Sequence, residues 1–143
     1  MSTFRGILMV AVVMVAGINA SLWAQPKGKA AQSSRVEVLY FHGKQRCITC
    51  NAIEKLSREV VQKEFAAELK TGKLVFKVVD ISKPEYEKLA DSYEVTWSSL
   101  FVNRWQGGKE SRKNMTEYAF SYAKNSPDVF KAGLAKALKE QLK

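Results

Sequence analysis

Cys47 and Cys50 are the only cysteines in this 143-residue chain, and they stand two residues apart, flanking Ile48 and Thr49. What lies on either side restricts the fold. Upstream, Val36 to Phe41 (VEVLYF) is short and rich in β-formers, with Val36, Val38 and Tyr40 alternating against Glu37, Leu39 and Phe41, the pattern of a mostly buried strand. His42-Gly43-Lys44 ends it. Downstream, Ile53, Leu56, Val60, Val61, Phe65 and Leu69 recur on one helical face for about twenty residues, until Thr71-Gly72 stops the run. The cysteine pair therefore sits where a strand hands over to a long amphipathic helix.

The rest of the chain continues the alternation. Leu74 to Val79 (LVFKVV) reads as a second strand, and Asp80 to Lys83 leads to Pro84 at the start of a short helix, Pro84 to Asp91. Leu100 to Trp105 is a third strand. Gln106-Gly107-Gly108 supplies a turn, and Lys109 to Lys113 returns antiparallel as a polar edge strand. Thr116 to Lys124 looks helical. Ser126 is placed to cap a final helix with Pro127 at its first position and Phe130, Leu134, Leu138 and Leu142 along one face. The expected order is β-α-β-α-β-β-α, an α/β domain with a central mixed sheet flanked by helices.

Residues 1 to 24 are of a different kind. Arg5 precedes an uninterrupted small and apolar run, Gly6 to Gly17, of export-signal length. Asn19 and Ser21 break the run before it reaches the roughly 20 apolar residues of a membrane-spanning helix. Cleavage after Ala24 is expected, although Leu22 stands where a small residue is commoner, so an uncleaved amino-terminal anchor is the alternative. Residues 25 to 34 (QPKGKAAQSS) are small, polar and unpatterned, a flexible linker to a domain running from 35 to 143.

With 46% hydrophobic and 26% charged residues the chain is globular rather than disordered. Its net charge is +9, or +8 once Arg5 is removed with the signal. The basic residues are scattered along helices rather than massed in a tract, and an exported protein rarely meets nucleic acid, so no nucleic-acid partner is expected. A solvated basic surface is the plain reading, with loose association with an anionic membrane surface or an acidic partner beside it.

At a helix entrance the Cys47 sulfur meets unsatisfied backbone N–H groups and the positive end of the helix dipole, which favour thiolate over thiol. Lys44 and Arg46 should push the same way. Such a thiolate attacks a partner's disulfide, and Cys50, one helical turn on, can resolve the mixed disulfide from within. Two other readings stay open. A permanent disulfide is natural outside the cytoplasm, but so short a loop offers only about 2 kcal/mol in the chain-entropy model. Metal binding could draw on Cys47, Cys50 and His42, the only histidine, which gives at most Cys2His unless a dimer bridges the ion. His42 is also close enough along the chain to move a proton for the thiolate, or simply fills the strand end. Tyr93, Phe101 and Trp105 read as packing residues; Trp97 falls in the loop that should approach the motif.

With this order of elements and a C-x-x-C at the first strand-to-helix junction, residues 35 to 143 resemble the thioredoxin fold. The resemblance implies that Cys47 is the exposed attacking cysteine, that Cys50 is the buried resolving one, and that Val95 to Ser99 faces them, with Thr96, Trp97, Ser98 and Ser99 on the substrate side. It also implies protein thiols or disulfides as partners and no cofactor. The family's cis-proline is replaced by Ser98 or Ser99, its buried acid by Tyr40 or Phe41, and the tryptophan before its first cysteine by Arg46. More narrowly, Tyr40-Phe41-His42-Gly43, Arg46-Cys47-Ile48-Thr49-Cys50, Thr96 and Ser98-Ser99 are similar to a small exported thioredoxin-like family known as the nitrophenyl compound nitroreductase subunit, ArsF family. That likeness implies an accessory, electron-passing role beside a nitro-reducing or arsenic-linked system. Partner identity, direction of electron flow and oligomeric state are open at this level.

Overall fold

Both faces of strand β1 (Arg35–His42) are covered, and this makes it the centre of the molecule. The computed structural model describes residues 34–143, so the expected export signal and the linker up to residue 33 lie outside the described residues. Side chains alternate across a strand. Val36, Val38 and Tyr40 therefore enter one apolar cluster, while Leu39 and Phe41 enter a second on the opposite face.

The first cluster is closed by helix α1 (Ile48–Glu64) through Ile53, Val60 and Val61, and by α5 (Pro127–Gln141) through Phe130, Leu134 and Leu138. The second is smaller. It gathers Val79 of β2 (Leu74–Asp80), Phe101 of β3 (Ser99–Gln106), and Tyr93 and Val95, which follow α3 (Glu87–Ser92). Tyr93, Phe101 and Phe41 meet edge-on or tilted with ring centres 5.0 to 5.9 Å apart. Tyr93 and Phe101 are thus packing residues, as expected, and Trp105 lies half-buried beneath the Arg35 guanidinium.

The four-stranded sheet has the order β2-β1-β3-β4. β1 and β2 are parallel, with Val36 opposite Leu74 and His42 opposite Asp80, and a parallel pair requires a crossover, which α1 and α2 (Ala66–Thr71) supply. β3 runs antiparallel to β1, pairing Phe41 with Ser99, and β4 (Lys109–Asn114) returns along β3. The hairpin between them turns on Gly107 and Gly108, both at positive φ, as a tight two-residue turn needs. β4 is exposed and carries Lys109, Arg112 and Lys113, which protect the open edge. A mixed four-stranded sheet with helices on both faces is the architecture expected from the sequence.

Several elements differ in detail. The long helix expected up to Thr71 is two helices, because Phe65 leaves the helical region (φ −127°, ψ 30°) with its side chain buried in the larger cluster. The spacing Val61-Phe65-Leu69 fits a straight helix and a bent one equally, and no Gly or Pro marks the bend. Gly72 is the stop that was expected: its φ of 76° is the left-handed conformation that closes α2. The helix expected from Pro84 begins as a single tight turn, Pro84–Tyr86, before α3 proper. Helix α4 (Thr116–Tyr122) ends two residues earlier than expected. Ser126 precedes α5, and Pro127 takes the first turn as expected, but the serine side chain makes no capping bond. Among the described residues no helix is long and apolar enough to cross a membrane.

Candidate dithiol–disulfide site

Cys47 is the residue immediately before α1, in extended conformation, and its Sγ accepts the Cys50 backbone N–H at 3.0 Å. The sulfur thus takes up one of the donors that a helix start leaves unsatisfied. No acidic residue stands in the first turn of α1 to oppose negative charge there. Cys47 and Cys50 are joined as a disulfide with Cα atoms 5.0 Å apart. Cys47 faces solvent, whereas Cys50 is 6% exposed.

The two sulfurs open into a groove of about 590 Å³ whose walls include Arg46, Thr96, Trp97, Ser98 and Phe120. Of the residues singled out in the sequence, the fold brings Arg46, Cys47, Cys50, Thr96, Trp97 and Ser98 together. Lys44 and His42 do not line this groove. Lys44 is exposed in the turn. His42 ends β1 with Nδ1 2.9 Å from the Gly43 carbonyl oxygen; a carbonyl only accepts, so Nδ1 is the donor. Ser99 begins β3, buried, and its Oγ donates to the Trp97 carbonyl at 3.1 Å, holding the loop rather than facing the sulfurs. The peptide bonds at Ser98 and Ser99, like all others described, are trans. Among the described residues no group of three or more His, Cys, Asp or Glu side chains is gathered to hold a metal.

Behind the disulfide lies a polar cluster. The Tyr40 hydroxyl, buried, donates to the Cys50 carbonyl at 2.8 Å. Burial is the main reason its pKa is raised, so it stays protonated, with Arg46 and Ser98 pulling weakly the other way. The Arg46 guanidinium lies 5.7 Å from the centre of the Tyr40 ring and forms an ion pair with Glu54, which also binds Arg58 at 3.0 Å. Burial is the largest single influence and works against both charges of the Arg46–Glu54 pair, but their mutual hydrogen bond and attraction, with the further bonds of Arg46 to Tyr40 and of Glu54 to Arg58, together outweigh it. Arg46 is held above its ordinary value and Glu54 below the usual carboxylate range. A hydroxyl and an ion pair thus occupy the space behind the sulfurs.

Tyr40, Glu54 and Phe120 were not singled out as site residues in the sequence. Tyr40 reads there as core. Glu54 lies eight residues from Arg46 across a helix boundary, outside any helical pairing rule. Phe120 stacks on Trp97 with ring centres 5.2 Å apart, a contact made between β3's entrance and α4 that no local pattern announces.

The order of elements, the sheet order with β1 central and the disulfide at the β1–α1 junction together define a thioredoxin-like α/β fold carrying a C-x-x-C pair at bonding distance. No protein-family model matches the chain, and no curated protein matches it. Among solved structures it is similar to one described as a malarial protein, at 19% identity over 76% of this chain and 99% of that one, with a TM-score of 0.46. It is also similar to a thioredoxin from Thermus thermophilus, solved in solution, at 16% identity over 75% of this chain and 76% of that one, with a TM-score of 0.48.

Proposed function

We propose that this chain is an exported thiol–disulfide exchange protein that passes electron pairs to or from protein partners outside the cytoplasm. The observation that carries the reading is Cys47 Sγ accepting the Cys50 N–H at the start of α1, exposed in a groove while Cys50 is held beneath it. In the reduced protein, the Cys47 thiolate attacks one sulfur of a partner disulfide; that S–S bond breaks, a mixed disulfide forms, and the partner's other sulfur leaves as thiolate. The Cys50 thiolate then attacks Cys47 Sγ and expels the partner's remaining sulfur. The protein ends oxidised by two electrons and the partner reduced by two, with the two thiol protons passed through solvent to the departing thiolates. Run backwards, the same steps oxidise a partner dithiol.

Turnover of a protein disulfide in the presence of a small thiol tests this. Cys47→Ser should abolish turnover, and Cys50→Ser should accumulate a mixed disulfide visible as an added mass. Wild-type rates in Cys47→Ser would end the proposal. Export rests on the charge and apolar pattern of residues 1–24.

One observation favours a second reading: Ser98, not proline, faces the two sulfurs across the groove. The reduced pair would then capture a thiophilic ion or an arsenical, in line with the arsenic-linked, nitroreductase-associated likeness, and the chain would act as an accessory subunit. Mass spectrometry of the reduced protein with zinc or arsenite decides, and no bound species at micromolar ligand removes it.

A further inference from the structure

Trp97 and Phe120 form a wall shared by two grooves. One holds the disulfide; the other, about 770 Å³, is bounded by the same two rings and lined also by Glu94 and Glu117. No Lys, Arg or His lines this second groove, on a chain whose net charge is +9. Among the described residues neither Glu94 nor Glu117 has an ion-pair partner, although six other acidic side chains, Glu37, Glu54, Glu59, Glu110, Asp128 and Glu140, do. Most of the remaining polar groups of the lining are engaged within the protein. Asn114 Oδ1 accepts the Thr116 N–H, Thr116 Oγ1 accepts the Leu100 N–H, and the Tyr93 hydroxyl bonds Glu110. What the groove offers a visitor is therefore chiefly two carboxylates and a tryptophan that is 59% exposed, with the Asn114 side-chain N–H beside them.

A Trp face attracts a cation through its quadrupole, and a carboxylate does so through its charge. We infer that this groove receives a lysine or arginine side chain from an extended segment of the protein whose disulfide exchanges at Cys47, seated between the Trp97–Phe120 stack and the carboxylates of Glu94 and Glu117. The inference rests on the exchange reading for the identity of the partner. It runs against the protein's overall charge, which by itself selects acidic partners. The shared aromatic wall places the bound cation beside the groove in which the partner's sulfur must approach.

The test uses the oxidised protein and cysteine-free peptides, so its outcome is separate from whether the disulfide cycles. Two synthetic peptides of equal length, one bearing lysines and the other glutamates at the same positions, are titrated while the Trp97 indole N–H resonance is followed. The lysine peptide should shift that resonance and bind about tenfold more tightly, the order expected of one cation–π contact with one partly exposed ion pair. In the double variant Glu94→Gln, Glu117→Gln the preference should fall to about threefold, the share of the Trp97 contact alone, with the fold unchanged by circular dichroism. Equal or tighter binding of the glutamate peptide, or a lysine preference undiminished in the double variant, overturns the inference. Failure of disulfide turnover with a lysine preference intact would count against the exchange reading alone.

Discussion

Arg46 adjoins Cys47 in the chain, yet its guanidinium is committed to Glu54 and to the face of Tyr40. The cation that the sequence assigns to the thiolate is shared with a carboxylate. Because the folded protein holds the Glu54 carboxyl below its ordinary value, the pair adds stability above the unfolded pKa of about 4.3 and loses it as pH falls through the lower folded value. Glu54→Gln should therefore flatten the loss of urea stability between about pH 5 and pH 3; parallel curves for variant and wild type would show that the pair contributes nothing. The position of Cys47 at a helix start was legible, since β-formers, a Gly-Lys turn and a helical apolar stripe bracket it within one local window. Tyr40, Glu54 and Phe120 were not: Tyr40 and Glu54 reach their partners across an element boundary, ten and eight residues apart, where no local pairing rule applies, and Phe120 comes from α4, distant in sequence from the cysteines.

At the level of elements, every strand could be read from composition and turns, and the helices from their stripes, but the bend at Phe65 could not. A buried aromatic at helical spacing satisfies two geometries, and tertiary packing chose between them. The packing of α4 on α5 shows a similar dependence at Gly133. A Cβ there would collide with the Tyr118 ring, whose hydroxyl donates to the Val129 carbonyl at 2.7 Å. By helix propensity alone, Gly133→Ala should stabilise α5 by about 1 kcal/mol. The collision reverses the sign: overpacking of this kind costs typically 1 to 3 kcal/mol, so the variant should unfold at lower denaturant. A higher midpoint would mean that Tyr118 swings aside without loss.

For the whole molecule, stability depends on α5 closing the larger cluster against α1 and β3. Leu134 is fully buried there, and Leu134→Ala should cost about 2 to 5 kcal/mol in a denaturant titration, a large share of the roughly 5 to 15 kcal/mol typical of a domain. A loss below about 1 kcal/mol would place the core elsewhere. The thioredoxin-like architecture follows from this arrangement, and the architecture puts an exposed sulfur over a buried one at a helix start with no acid in its first turn. Whether that geometry is used depends on one quantity, the reduction potential of the Cys47–Cys50 pair, measured by equilibration in glutathione buffers. A cycling exchanger should fall within about −270 to −120 mV, the range of known dithiol exchange proteins, and a value below about −300 mV, where structural disulfides lie, would contradict the account.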